Sequence, residues 1–172
     1  MRKMIFMLAF SMLITNPTYA DHSKDIVMLD ANQVKIQVKG IVCSFCAFGV
    51  QKNLSKLKFL DSSEFKKGVL VDVEKQQITL AIAEDNMIDL KEVYKSIRKG
   101  GYDPEVVFLR VKGEIENGNS IRDQETQLLF HFKSEKLSNP GLVEVDLHFD
   151  AKVIPSLSID NPIDASLDRI IE

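Results

Sequence analysis

Cys43 and Cys46 are the only two cysteines in the 172-residue chain, and two residues separate them. A thiol pair at this spacing suits four kinds of chemistry: a redox dithiol, half of a zinc site, a clamp for a soft metal ion, or a structural disulfide. A closed zinc site usually needs four ligands. The chain offers only three histidines to complete one, and all lie far from the pair in sequence: His22, His131 and His148.

The residues around the pair predict which elements hold the two thiols. Val34, Ile36 and Val38 alternate with polar residues, which indicates a strand that ends at Gly40. From Cys46 onward the apolar residues recur at three- and four-residue spacing, which predicts an amphipathic helix. Free N–H groups and the macrodipole at a helix N-terminus favour thiolates. Two thiolates there suit one ion that accepts two nearly linear sulfur ligands, namely Cu(I) or Hg(II).

The elements that follow predict a complete small domain over residues 33–111. Residues 69–82 alternate in hydrophobicity on either side of a polar turn, which indicates a β-hairpin. A second amphipathic helix over residues 88–97 stops at Gly100-Gly101, and a strand follows over residues 106–111. The order is β-α-β-β-α-β. We therefore predict an α+β fold, a ferredoxin-like domain with an antiparallel four-stranded sheet and both helices on one face.

Residues 112–172 predict a β-rich C-terminal extension. Residues 128–132 and 143–149 alternate between apolar and polar side chains, and residues 165–171 are compatible with a short terminal helix. His131 and His148 fall on the polar faces of the two strands. If these strands pair, the two imidazoles approach each other near Asp146 or Asp150 and offer a site for a harder metal ion. Solvated histidines are the commoner outcome at such positions.

The loop that carries the cysteines resembles a known metal-binding motif. Residues 40–46 read G-I-V-C-S-F-C, similar to the G-M-x-C-x-x-C loop of heavy-metal-associated domains. These domains occur in copper chaperones, copper-exporting ATPases and periplasmic mercury-binding proteins. Residues 101–107, G-Y-D-P-E-V-V, are similar to the segment that opens the last strand of that family. The resemblance covers about residues 33–108. It implies that Cys43 and Cys46 are metal ligands, that Tyr102 stands near the loop, and that no reaction is catalysed.

The chain departs from the family pattern at three positions in the loop. Ile41 replaces a methionine that in the family packs inward beneath the loop, and an aliphatic residue of similar volume is tolerated there. Val42 replaces a small polar residue, and Phe45 between the cysteines is bulky and apolar. The loop and Phe48 beyond it form an unusually apolar rim. The sequence leaves three roles open for this apolar rim: it shields Cu(I) from water, it contacts a partner protein, or it packs within the fold.

The N-terminal residues predict export. Arg2-Lys3, the apolar run of residues 5–14 and the small residues before Asp21 are typical of a signal peptide, residues 1–20, cleaved after Ala20. Residues 21–32 form a lead-in to the first strand. We expect a periplasmic or secreted protein without a later membrane span. Cleavage would remove only two charged residues, Arg2 and Lys3, so the mature chain would keep 20 Lys and Arg against 25 Asp and Glu. This negative net charge argues against nucleic-acid binding.

Two alternatives use the same cysteines. A thiol–disulfide redox protein also places C-x-x-C at a helix N-terminus, but no Trp precedes Cys43 and Pro104 comes only after the second helix. A structural disulfide closes a very short loop and gains little chain entropy. We favour an exported protein that binds Cu(I), or Hg(II), and passes it by ligand exchange to a metal-transporting membrane protein or another periplasmic partner.

Overall fold

The structure, a computed structural model, describes residues 28–133, 137 and 141–171. The predicted signal peptide, its cleavage site and His22 lie outside these residues. The elements in chain order are β1 (Gln33–Lys39), α1 (Ser44–Leu54), β2 (Val69–Asp72), β3 (Gln77–Ala81), α2 (Leu90–Lys99), β4 (Asp103–Glu116), β5 (Ser120–Asp123), β6 (Leu129–Phe132), β7 (Leu142–Asp150), the 3₁₀-helix Ala151–Ser156 and β8 (Ile163–Ile171).

The first six elements follow the β-α-β-β-α-β order expected from the sequence. Strands β2, β3, β1 and β4 are neighbours in that order, and all of these pairs are antiparallel. Local chemistry starts both helices: Cys43 caps α1, and the Asp89 carboxylate caps α2 by accepting a hydrogen bond from the Glu92 N–H. Alternate residues of β1 are buried, as the hydrophobic pattern predicted.

The predicted fold class is wrong, because the sheet does not end at four strands. β4 runs for 14 residues and continues into a second set of pairings. It pairs with β5 and with β7, and the chain of neighbours β4-β5-β6-β8-β7 returns to β4. These five strands form a closed β-barrel. The described residues therefore form a mostly-strand fold with eight strands, not a ferredoxin-like α+β domain with an extension.

The reason for the error lies in β4. The sequence predicted a strand that stops at Val111, but the buried alternation continues through Val111 and Gly113. Lys112, where the extension was expected to begin, thus lies inside the strand. The barrel order, with β6 and β8 parallel, is that of a five-stranded Greek-key barrel of the OB type. Such a fold alone implies no ligand.

The helix that was expected over residues 165–171 is also wrong, since these residues belong to β8. Tertiary pairing decides this segment: β8 lies between β6 and β7 and bonds to both. Buried side chains of the sheet, the helices and the barrel interior form one continuous core. Within the described part of the chain, no helix is long and apolar enough to cross a membrane.

A buried ion cluster lies on the outer side of β4, β7 and β8. Asp146 is almost fully buried, and its two carboxylate oxygens accept hydrogen bonds from Arg110 Nε at 2.8 Å and Arg169 Nη2 at 2.6 Å. Arg110 also donates to the carbonyl oxygen of Leu29, 2.8 Å away, whose side chain is itself buried. The cluster therefore ties three barrel strands to the residues that lead into β1.

Candidate metal site at the Cys43–Cys46 loop

The loop between β1 and α1 presents the thiols above a buried anchor. Gly40 turns the chain out of β1 with φ of +99°, a conformation that favours glycine. Its N–H donates to Gln76 Oε1 at 2.9 Å, which fixes the loop to the β2–β3 hairpin. Ile41 is fully buried beneath the loop, as the resemblance implied for this position, whereas Val42 is 75% exposed.

Cys43 and Cys46 lie together at the first turn of α1. The Cys43 sulfur caps the helix and accepts a hydrogen bond from the Cys46 N–H, with 3.2 Å between Sγ and N. The first helical backbone bond runs from the Ala47 N–H to the Cys43 carbonyl, 3.0 Å away. Both side chains are free thiols, Cys43 exposed and Cys46 half-buried. The loop thus has one sulfur open to an incoming group and one held closer to the protein.

Hydrogen bonding lowers the pKa of the Cys46 thiol. The largest contribution comes from the Cys43 side chain and the next from the Tyr102 hydroxyl, with smaller ones from the backbone at Val42 and Cys43; partial burial opposes them. The pKa of Tyr102 is raised, mainly by the same hydrogen bond to Cys46 and then by burial. The two shifts share one contribution: the phenol acts as a proton donor to Cys46, which favours the Cys46 thiolate and keeps Tyr102 protonated.

Two glycines leave room for Tyr102 beside the loop. A Cβ on Gly40 would lie 3.6 Å from Tyr102 Cδ1, and one on Gly100 would lie 3.0 Å from Tyr102 Cδ2. The last residue of β1, Lys39, pairs with Asp103 at the start of β4, so the two strand ends bring Gly40 and Tyr102 side by side. The position of Tyr102 implied by the resemblance is therefore the one observed.

The histidines do not form a second site. β8 separates β6 from β7, so His131 and His148 lie on strands that are not neighbours. His131 Nδ1 is 3.1 Å from Ser120 Oγ, and His148 Nδ1 is 2.7 Å from Asp168 Oδ1. Among residues 28–133, 137 and 141–171, no group of three or more His, Cys, Asp or Glu side chains is arranged to hold a metal ion. The strand pairing on which an approach of the two histidines depended is therefore absent among the described strands.

Two residues and one contact near the loop were not predicted from the sequence. The contact is the hydrogen bond from Gly40 to Gln76, which has a φ of +48° in the predicted polar turn between β2 and β3. The residues are Phe65 and Leu70, which are partly exposed and with Phe48 line a shallow groove beside α1. Alternation on either side of Lys75-Gln76 predicted the turn, but nothing local in the sequence indicates that Phe65 and Leu70 meet α1.

Comparisons with known proteins give no relative: no family model, no curated protein and no solved structure matches this chain.

Proposed function

We propose that this protein binds a soft metal ion, Cu(I) in preference to Hg(II), through Cys43 and Cys46, and passes it on by ligand exchange. The main support for this proposal is the hydrogen-bonding environment of the Cys46 sulfur. Hydrogen bonds from Cys43, Tyr102 and the loop backbone favour its thiolate form, and a second sulfur stands at the same helix N-terminus. Soft ions bind thiolates rather than thiols.

The loop sequence supports the same reading. G-I-V-C-S-F-C is similar to the loop of heavy-metal-associated domains, and Ile41 and Tyr102 lie where that likeness leads one to expect them. The likeness concerns the loop and the Gly101-Tyr102 segment. The barrel has no counterpart in the small members of that family, so the proposal rests on the site and not on the fold.

Unequal exposure of the two sulfurs suits transfer. Cys43 is exposed, so a thiolate of a partner can approach an ion bound there, while Cys46 is half-buried and retains its ligand bond longer. The ion then passes through an intermediate that shares thiolates of both proteins, and no bond of a substrate is broken. We propose that the protein does this outside the cytoplasm, with a metal-transporting membrane protein or a periplasmic protein as its partner.

A thiol–disulfide redox protein is the second candidate, and the lowered pKa of Cys46 favours it as well. The two functions predict different behaviour of the reduced pair. A carrier binds one Cu(I) per chain against a competing chelator. A redox protein exchanges disulfides rapidly and has an oxidising potential.

The test is an anaerobic titration of the reduced protein with Cu(I) in the presence of a competing chelator. We expect one ion per chain, and loss of this binding in Cys43→Ser, Cys46→Ser and the double variant. Ser44→Ala, an exposed change between the two ligands, is the matched control and keeps wild-type binding. Absence of Cu(I) binding together with rapid disulfide exchange would refute the carrier and establish the redox protein. N-terminal sequencing of the exported protein, expected to begin at Asp21, tests the location.

A further inference from the structure

α1 is apolar on two opposite sides. Val50 and Leu54 are fully buried against the core, as an amphipathic helix requires. Phe45 and Phe48, on the outer side, are 90% and 65% exposed. A surface helix normally has one apolar stripe, and two such rings in water are costly enough to indicate a surface that something covers.

The exposed rings belong to a larger patch. We define the apolar patch as Val42, Phe45, Phe48, Phe65 and Leu70, all of them exposed. Phe48, Phe65 and Leu70 line the same groove between α1 and β2, and Val42 and Phe45 extend it to the thiol loop. Phe65 has a φ of +48°, an uncommon conformation for an aromatic residue.

Lys52 and Lys66 lie at the apolar patch. Residues 33–68 contain seven lysines against only Asp61 and Glu64, whereas residues 112–172 contain six basic and twelve acidic side chains. Lys52 follows Phe45 and Phe48 on the outer side of α1, and Lys66 lines the groove. Residues 33–105, which carry the patch, contain twelve basic and ten acidic side chains in all, so the formal charge is slightly positive there and negative over residues 112–172.

We propose that the apolar patch is a docking surface for a membrane that contains anionic lipids. Val42, Phe45 and Phe48 enter the boundary between headgroups and acyl chains. Lys52 and Lys66 contact the lipid phosphates. The acidic barrel is repelled by the same surface, so the charge separation orients the molecule with the patch toward the lipid.

The composition of the patch favours lipid over a protein partner. Cores of protein interfaces are enriched in aromatic residues, Phe included, and in Met and Arg, and they are depleted in Lys; of the enriched types the patch contains only Phe. Residues 42–70 contain no Tyr, Trp, Met or Arg, but they contain five lysines. Phe and Val side chains next to lysines are the pattern of helices that lie in a membrane interface. Because Cys43 lies between Val42 and Phe45, docking would hold the thiol pair at the lipid surface.

The test is sedimentation of the purified exported protein with lipid vesicles. A mass measurement first verifies that residues 1–20 are absent, since their apolar run would itself bind lipid. We expect binding to vesicles of phosphatidylcholine with phosphatidylglycerol, no binding to phosphatidylcholine alone, and loss of binding between about 0.1 M and about 1 M salt, where the Debye length falls from ~10 to ~3 Å.

Matched variants locate the surface. Phe45→Ser/Phe48→Ser is expected to weaken vesicle binding more than about tenfold, because two rings no longer leave water. Lys52→Gln/Lys66→Gln is expected to weaken it by about fivefold per lysine. The controls change exposed residues in or next to the barrel: Leu142→Ser/Ile170→Ser and Lys112→Gln/Lys152→Gln. Thermal unfolding of each variant verifies that it is folded.

Three results would overturn the proposal: no binding to anionic vesicles at low salt, equal binding to neutral vesicles, or equal losses in the patch and barrel variants. The first would assign the patch to a protein partner instead. The Cys43→Ser/Cys46→Ser variant is expected to bind vesicles like the wild type. The membrane proposal therefore stands or falls separately from metal binding.

Discussion

Ile41 links the stability of the fold to the geometry of the thiol loop, and its replacement gives a quantitative test. Ile41→Ala removes three carbons from a side chain with no solvent exposure. At about 0.8 kcal/mol per buried CH₂ group, the transfer loss is about 2.4 kcal/mol. Incomplete collapse of the cavity adds to this loss, so we expect the free energy of unfolding to fall by about 3 kcal/mol, within the ~2–5 kcal/mol found for Ile→Ala changes in cores.

Two neighbouring substitutions make the test specific. Ile41→Met keeps the volume nearly constant and should cost less than about 1.5 kcal/mol. Val42→Ala changes the adjacent residue, which is 75% exposed, and should remain within about 0.5 kcal/mol of the wild type. The cavity of Ile41→Ala also lets the loop sink between Gly40 and Cys43. We therefore expect weaker Cu(I) binding in Ile41→Ala than in Ile41→Met.

The assay is urea unfolding of the reduced protein, followed by circular dichroism. The midpoint and the slope are both fitted, because a changed slope would mean a changed unfolded state or a populated intermediate. One cooperative transition is expected, since a single core joins the sheet and the barrel. Equal losses of stability in Ile41→Ala and Val42→Ala would refute the view that the loop is anchored through Ile41.

Two further predictions concern Tyr102 and the ion cluster. Tyr102→Phe removes the hydroxyl that helps to lower the pKa of Cys46. The pH midpoint of Cys46 alkylation should therefore rise, as measured by tandem mass spectrometry. An unchanged midpoint would contradict the hydrogen bond between Tyr102 and Cys46. Asp146→Asn removes the buried carboxylate that both arginines share, while Arg110 keeps Glu144 at 3.6 Å, and it should lower the free energy of unfolding by about 2 kcal/mol, measured in urea. Asp164→Asn, which breaks an exposed ion pair with Lys133, is the control and should cost less than about 1 kcal/mol.

The N-terminal elements could be predicted because their signals are local. Alternation at Val34, Ile36 and Val38 gives β1, the Cys43 and Asp89 side chains cap the two helix N-termini, and Gly100 ends α2. Asp89 is a good example, since a carboxylate three residues before Glu92 accepts the N–H that the helix leaves free. Such signals need no knowledge of the rest of the chain.

The barrel could not be predicted in the same way, because distant pairings decide it. Gly113 lies within β4 where the backbone of β5 approaches closely. A Cβ at Gly113 would lie 2.0 Å from the carbonyl oxygen of Arg122. A glycine inside an alternating strand can mark such an approach as well as a turn. Residues 165–171 were likewise ambiguous until β6 and β7 supplied their partners.

In the candidate site, too, some features follow from local sequence and others depend on distant parts of the chain. Cys43 and Cys46 were evident from their spacing, and the placement at the start of α1 follows from local periodicity. The apolar patch could be predicted only in part. Val42, Phe45 and Phe48 adjoin the cysteines in sequence, whereas Phe65 and Leu70 follow α1 in the chain. These two residues meet the helix only because β2 lies against it.

β4 makes the barrel part of the site and not an appendage to it. Its first residue follows Tyr102 and pairs with Lys39, beside the thiol loop. Nine consecutive residues of the same strand pair with β7. A chain that ended at Val111 would lose that partner strand, and Val111, which is fully buried and lies opposite Val145 of β7, would lose this neighbour. Since Tyr102 is held by the start of this strand, the barrel helps to fix the hydrogen bond that favours the Cys46 thiolate.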